Sequence, residues 1–143
     1  MMTPSNATLD RFVEAQAPVY AEVCAELAAG RKSSHWMWFI FPQLTALGRS
    51  GRARFYGIES KEEALAYWQH PVLGPRLKHC ARLVLKTSGK SAHDIFGTPD
   101  DLKLRSCMTL FSVVAADEPA FVQVLSRFYQ GEPDLKTMAL LGN

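Results

Sequence analysis

TPDDLKLRSCMTLFSVVAA, residues 98–116, is the stretch that decides the fold. It opens with a strong helix start. Thr98 can cap, Pro99 suits the first helical position, and Asp100 and Asp101 meet the positive end of the helix dipole. From Leu102 to Ala116 the segment is apolar over most of its circumference. A helix with so little polar face must be enclosed by others, which places it at the centre of a bundle. One stripe stays polar, because Asp101, Arg105, Thr109 and Ser112 recur three or four residues apart. Arg105 keeps its charge in these surroundings and needs a partner, either Asp101 one turn back or an anionic ligand. Lys103 and Ser106 point to other sides of the helix.

The flanking sequence also reads as helix. Leu9, Phe12 and Val13 recur at helical spacing after candidate caps at Asn6 and Thr8. Pro18 starts or kinks a second helix whose apolar face holds Val19, Val23 and Leu27, and Gly30 stops it. Ser60, followed by Glu63, predicts a capping box for a helix through Gln69. Leu65 and Trp68 are its expected core contacts, with Ala64 as a secondary one. Leu73, Leu77, Cys80, Ala81 and Val84 form the next helical face. Glu118-Pro119 begins another helix that turns Phe121, Leu125 and Phe128 inward and ends near Gly131, and Asp134 caps a final short one. No βαβ rhythm is present. The fold class is all-α: a compact irregular bundle of about six to eight helices around a central helix near 99–116. The chain is read as one domain, 1–143, with a flexible N-terminal segment 1–7.

The bulk properties narrow the function. A chain of 143 residues with 48% hydrophobic and 21% charged residues is an ordinary globular composition with a sizeable core. A formal charge of +2 gives weak support for an anionic partner and none for a dedicated nucleic-acid binder. Three scattered cysteines, Cys24, Cys80 and Cys107, make neither a disulfide framework nor a CxxC motif, so they read as reduced core residues. His70, His79 and His93 form no metal-ligand spacing with Cys80; no metal and no cofactor are expected. Residues 1–8 lack the basic flank and apolar core of a signal peptide, and no run reaches transmembrane length. The expected compartment is the cytoplasm.

Two neighbouring segments carry the candidate chemistry. HWMWFIFP, residues 35–42, holds two of the three tryptophans and two of the eight phenylalanines. Ser33 or Ser34 can cap a short helix there, ended by Pro42, with a buried strand as the alternative. His35 is the candidate catalytic residue, as a proton carrier or a hydrogen-bond donor. Trp36 and Trp38 point in different directions on a helix or a strand, so one can be core while the other lines a pocket. GRSGRAR, residues 48–54, has the composition of a small anion cradle, in which glycine lets amides converge and arginine supplies a donor fork. It is neither a P-loop nor a dinucleotide fingerprint. The candidate ligand-binding set is Trp36, Trp38, Arg49, Arg52, Tyr56, Lys103 and Arg105.

These segments together resemble a known family. RFVEAQAPVY (11–20), GRKSSHWMWFIFPQL (30–44), GRSGRARFYGI (48–58), HPVLGPRL (70–77) and FGTPDDLKLRSCMTLF (96–111), with the end near 134–141, are similar to uncharacterised bacterial proteins grouped as domain of unknown function 1810. Some of these carry the label calpastatin-like. An inhibitor of that type would be long, polar and disordered, which this composition is not. The resemblance implies a compact, mainly helical fold and brings no activity with it.

The leading expectation is a small-molecule-binding protein, with an enzyme among the outcomes, that recognises an anionic ligand of nucleotide or sugar-phosphate type. It requires the aromatic run to meet the 98–105 turn. The alternative is a protein-interaction or regulatory module in which Trp36, Trp38 and Tyr56 form an exposed patch with an arginine rim, homo-oligomerisation included. Nucleic-acid binding ranks third, since it needs Arg49, Arg52, Arg54, Arg76 and Lys103 on one face.

Overall fold

The computed structural model describes residues 6–142. Asn6 and Ala7 already belong to the first helix, so only residues 1–5 of the expected flexible segment lie outside the described residues. The described residues form ten α-helices and one 3-10 turn, with no strand among them. In chain order the helices are α1 (Asn6–Gln16), α2 (Tyr20–Ala28), α3 (Met37–Ile40), α4 (Gly51–Phe55), α5 (Lys61–Gln69), α6 (Leu73–Lys86), α7 (Ala92–Phe96), α8 (Asp100–Val114), α9 (Pro119–Tyr129) and α10 (Leu135–Leu141). The count exceeds the expected six to eight because α3, α4 and α7 are four or five residues long. A single turn has no 3.6-residue repeat to read. Only caps betray such pieces, as at α7, where Ser91 and Asp94 form a reciprocal capping box.

The central helix is α8, packed against α5, α7, α9 and α10. Leu104, Cys107, Met108, Leu110 and Phe111 are fully buried along it. Its start is shifted by one residue from the sequence reading: Pro99 occupies the cap position and the helix begins at Asp100. Thr98 is drawn elsewhere, its hydroxyl lying 3.0 Å from Nδ1 of His93 and 3.5 Å from the Asp101 carboxylate.

The polar stripe of α8 has a definite use. Gln130 and Gly131 take left-handed φ values of 59° and 79°, which reverse the chain after α9. The chain then runs back along the stripe. The Tyr129 hydroxyl donates to the Asp101 carbonyl. Arg105 Nε donates to the Glu132 carbonyl at 2.9 Å, and its Nη2 lies 3.4 Å from the Glu132 carboxylate. The Asp134 amide donates to Thr109 Oγ1 at 2.8 Å. Thr109 in turn donates to the Arg105 carbonyl at 2.8 Å. Arg105 therefore pairs with Glu132 and not with Asp101, whose Oδ1 accepts the Leu102 amide at 2.9 Å. Asp134 then caps α10 through the Thr137 amide, as its position predicts.

The α6 face is as expected, with Leu73, Leu77, Cys80, Ala81 and Val84 buried. On α5 the inward residues are Ala64 and Tyr67, and Trp68 packs on the core against Phe121 as expected, while Leu65 is 39% exposed. The helix is rotated by a polar knot: Gln16 Nε2 donates to the Tyr67 hydroxyl at 3.1 Å and to the Phe39 carbonyl at 2.7 Å. The Ser60 cap accepts from the Glu63 amide at 3.1 Å, but Glu63 reaches back to the Glu59 amide instead of to Ser60. The cysteines are free thiols, with Cys80 and Cys107 buried and their thiols pushed up by desolvation.

At the α5–α6 joint, His70 Nδ1 accepts the Val72 amide at 3.1 Å, and Gly74 presses on the Trp68 carbonyl. A β-carbon at Gly74 would lie 2.1 Å from that oxygen. Backbone cannot yield there without parting two packed helices. Gly74→Ala is predicted to destabilise the fold by about 1–3 kcal/mol, seen as a lower urea midpoint at unchanged m-value. An unchanged midpoint would mean that the joint opens freely.

Candidate functional site

The aromatic run is anchored from below by a carboxylate. Glu26 on α2 is only 9% exposed. It accepts from the Ser33 amide at 2.7 Å, the Ser34 amide at 3.1 Å and Trp36 Nε1 at 2.9 Å, and also from the Ser34 hydroxyl. Ser33 and Ser34 are thus engaged by Glu26 and do not cap a helix, and α3 begins only at Met37. Desolvation raises the Glu26 pKa, but the four donors outweigh it and hold the carboxyl below its ordinary value.

This anchoring corrects the expectation for Trp36. Its indole N–H partner lies inside the protein, so the ring is buried, 1% exposed, against Phe41 and Phe96. It is core and cannot contact a ligand. Trp38 is half-buried, with the Arg52 guanidinium 5.3 Å and the Lys103 ammonium 5.6 Å from its ring centroid. Here the aromatic run does meet the first turn of α8. Lys103 also lies 3.8 Å from Asp100, which binds Lys32 at 2.9 Å. Tyr56 packs on Phe12, Phe39 and Phe55. His35 is exposed and, like Tyr56 and Arg52, does not line the cleft described next. Trp36, Trp38 and Tyr56 consequently form no single exposed patch. Arg76 stacks on Tyr20 and donates to Gln16, at the junction of α1, α2 and α6, outside that cleft.

Three chain segments enclose a cleft of about 740 Å3. The first is the excursion 43–58, pinched at its base by the bonds Thr45 N to Ile58 O and Ile58 N to Gln43 O, both 2.9 Å. Gly57 is required at the pinch, since a β-carbon there would fall 2.6 Å from Cα of Thr45. This excursion contributes Gln43, Leu47, Arg49, Ser50 and Ala53. The start of α8 contributes Pro99, Leu102, Lys103, Arg105 and Ser106, and the start of α10 adds Asp134, Leu135 and Lys136.

The lining holds four cationic side chains and one carboxylate. That carboxylate, Asp134, is occupied by the α10 cap, accepting from the Thr137 amide and hydroxyl at 3.0 and 2.6 Å. Arg105 is paired with Glu132, and Lys103 shares Asp100 with Lys32. Arg49 and Lys136 have no ion pair or hydrogen bond among the described residues. Tyr129, beneath Arg105, has its phenol pushed up by burial and then by the Asp101 charge, with Arg105 opposing, so it remains a donor.

Of the residues singled out from sequence, the cleft gathers Arg49, Lys103 and Arg105. Sequence reasoning missed Lys136, Leu135 and Leu102. A signal existed: the polar stripe of α8 and the Asp134 cap were both legible, and pairing them brings Lys136 beside Arg105.

Short helices wrapped on a buried α8, with a cationic cleft at its N-terminal half, define a helical-bundle protein. The chain belongs to the DUF1810 family, described as protein of unknown function, whose model matches residues 6–141. It is similar to the conserved hypothetical protein Rv1873 from Mycobacterium tuberculosis, with 56% identity, a TM-score of 0.93, and coverage of 94% of this chain and 96% of that one. No curated protein matches it. Among the described residues, no helix is long and apolar enough to cross a membrane.

The Glu26 anchor has a pH signature. A carboxyl held below its unfolded value of 4.5 stabilises the fold fully above that pH, and the contribution is lost as pH falls through the folded value. Urea midpoints between pH 6 and pH 3 should therefore fall more steeply for wild type than for Glu26→Gln. The variant should be less stable at pH 6 by about 1–3 kcal/mol. Parallel curves would remove Glu26 from this role.

Proposed function

We propose that the protein binds an anionic small molecule in the cleft between the 43–58 excursion and the starts of α8 and α10. One observation carries this reading: four cations converge on one concavity, and Arg49 and Lys136 have no partner there among the described residues. Arginine offers a rigid donor fork and lysine a compact charge, a pairing suited to phosphate or carboxylate. The volume of about 740 Å3 is that of an ordinary small-molecule site. Arg105 and Lys103, already tied to carboxylates, contribute field and shape. Trp38, held between Arg52 and Lys103, fixes the Lys103 side of the cleft.

Thermal shift with inorganic phosphate, nucleotides and sugar phosphates tests the reading. A ligand at about 100 times its Kd adds about 2.7 kcal/mol, which raises Tm by on the order of 5–10 °C in a chain of this size. Arg49→Ala and Lys136→Ala remove no bond within the described residues, so their unliganded Tm should stay near wild type. The ligand-induced shift should shrink in each and vanish in the double variant. A full shift in the double variant would exclude this cleft.

A further inference from the structure

The structure also carries a statement about the ligand's class, resting on the reading just proposed. We infer that the cleft takes an amphipathic acid, a carboxylate or phosphate monoester on a short aliphatic body, in preference to a nucleotide.

The first observation is apolar. Leu102 is 56% exposed and Leu135 76% exposed, and both face this cleft, one from α8 and one from α10. A single exposed leucine needs no explanation. Two from different helices, with Pro99 beside them, on the concavity that also gathers the cations, form a surface with two chemistries. Water is the poorest occupant of the apolar part, and a hydrocarbon segment is the favourable one. The acid group fits Arg49 and Lys136, which have no ion pair or hydrogen bond among the described residues.

The second observation concerns what a nucleotide needs. Base recognition relies on a free ring face and on polar groups for the base edge and ribose. Among the described residues no aromatic side chain lines the cleft. The nearby Trp38 ring already carries Arg52 at 5.3 Å and Lys103 at 5.6 Å. The two cleft hydroxyls serve the backbone: Ser50 accepts the Ala53 amide at 3.0 Å, and Ser106 donates to the Leu102 carbonyl at 3.3 Å. One side-chain amide, Gln43, is the single further uncharged polar group of the lining among the described residues, and the four cations with the two leucines match an acid with a hydrocarbon body.

Calorimetric titration of the whole chain decides the matter. The probes are inorganic phosphate, methyl, propyl and hexyl phosphate, the alkyl carboxylates of the same lengths, and adenosine 5′-monophosphate. In at least one alkyl series, Kd should fall by about twofold to fourfold per methylene until the apolar wall is covered. Adenosine monophosphate should bind no more tightly than methyl phosphate. The double variant Leu102→Gln/Leu135→Gln changes exposed side chains, so it should fold normally and bind the shortest acids like wild type. Its dependence on chain length should disappear. Lys136→Ala should weaken every member of the binding series by a similar factor. Short anions that bind with no dependence on chain length, or tighter binding of the nucleotide, would overturn the amphipathic class and leave anion binding standing. No binding by any probe would overturn both.

Discussion

The cleft depends on the polar stripe of α8. Leu104, Cys107, Met108, Leu110 and Phe111 bury the inner side of that helix, so the stripe is the part of it that directs the returning chain by hydrogen bonds. Residues 129–134 use it at three levels: Tyr129 on the Asp101 carbonyl, Arg105 on Glu132, and the Asp134 amide on Thr109. Each bond is worth only about 1 kcal/mol net. Their spacing matters more than their sum, because bonds one turn apart set the register of the returning chain. That register puts Asp134 where it caps α10 and sets Leu135 and Lys136 on the cleft. Arg105 is thus a strut first. Its guanidinium holds Glu132 and lies 5.8 Å from the Tyr129 ring centroid while its flank lines the cavity.

A second buried constraint sets the opposite side. Glu26 holds the 31–36 turn by four donors, which fixes Lys32 toward Asp100 and Trp36 in the core. With Trp36 fixed, the one-turn helix α3 presents Trp38 toward Arg52 and Lys103. A buried carboxylate is costly to desolvate, and only the full set of donors makes it tolerable. The aromatic run is therefore largely a packing element with Trp38 at its edge, and Trp36 within it is held by a glutamate ten residues upstream.

Much of the fold was legible because its long helices bury strong periodic faces. The α6 face and the apolar α8 were readable residue by residue, as were the helix start at Glu118-Pro119 and the Asp134 cap. The errors have local physical causes. Ser33 and Ser34 look like caps, yet a distant carboxylate competes for them. Leu65 looks like the core of α5, but the Gln16–Tyr67 hydrogen bond turns Tyr67 inward. Arg105 and Asp101 have ideal intrahelical spacing, and a chain reversal delivers Glu132 instead. Each error is a tertiary partner overriding a local one. The candidate site was legible in its arginines and in Lys103. Lys136 could be reached only by pairing the α8 stripe with the Asp134 cap, and the two leucines only from the place where the returning chain brings them together.

The distribution of charge around the cleft follows from this division of labour. Lys103 and Arg105 lie on the helix that must be buried, so each is held by a carboxylate, Asp100 or Glu132. Arg49 and Lys136 lie on segments that need not be buried, a pinched excursion and a short terminal helix, and they keep no such partner. Charges are screened only beyond a Debye length of about 8–10 Å. An acid bound among the four cations would therefore draw more on the two that no carboxylate neutralises than on the two already paired.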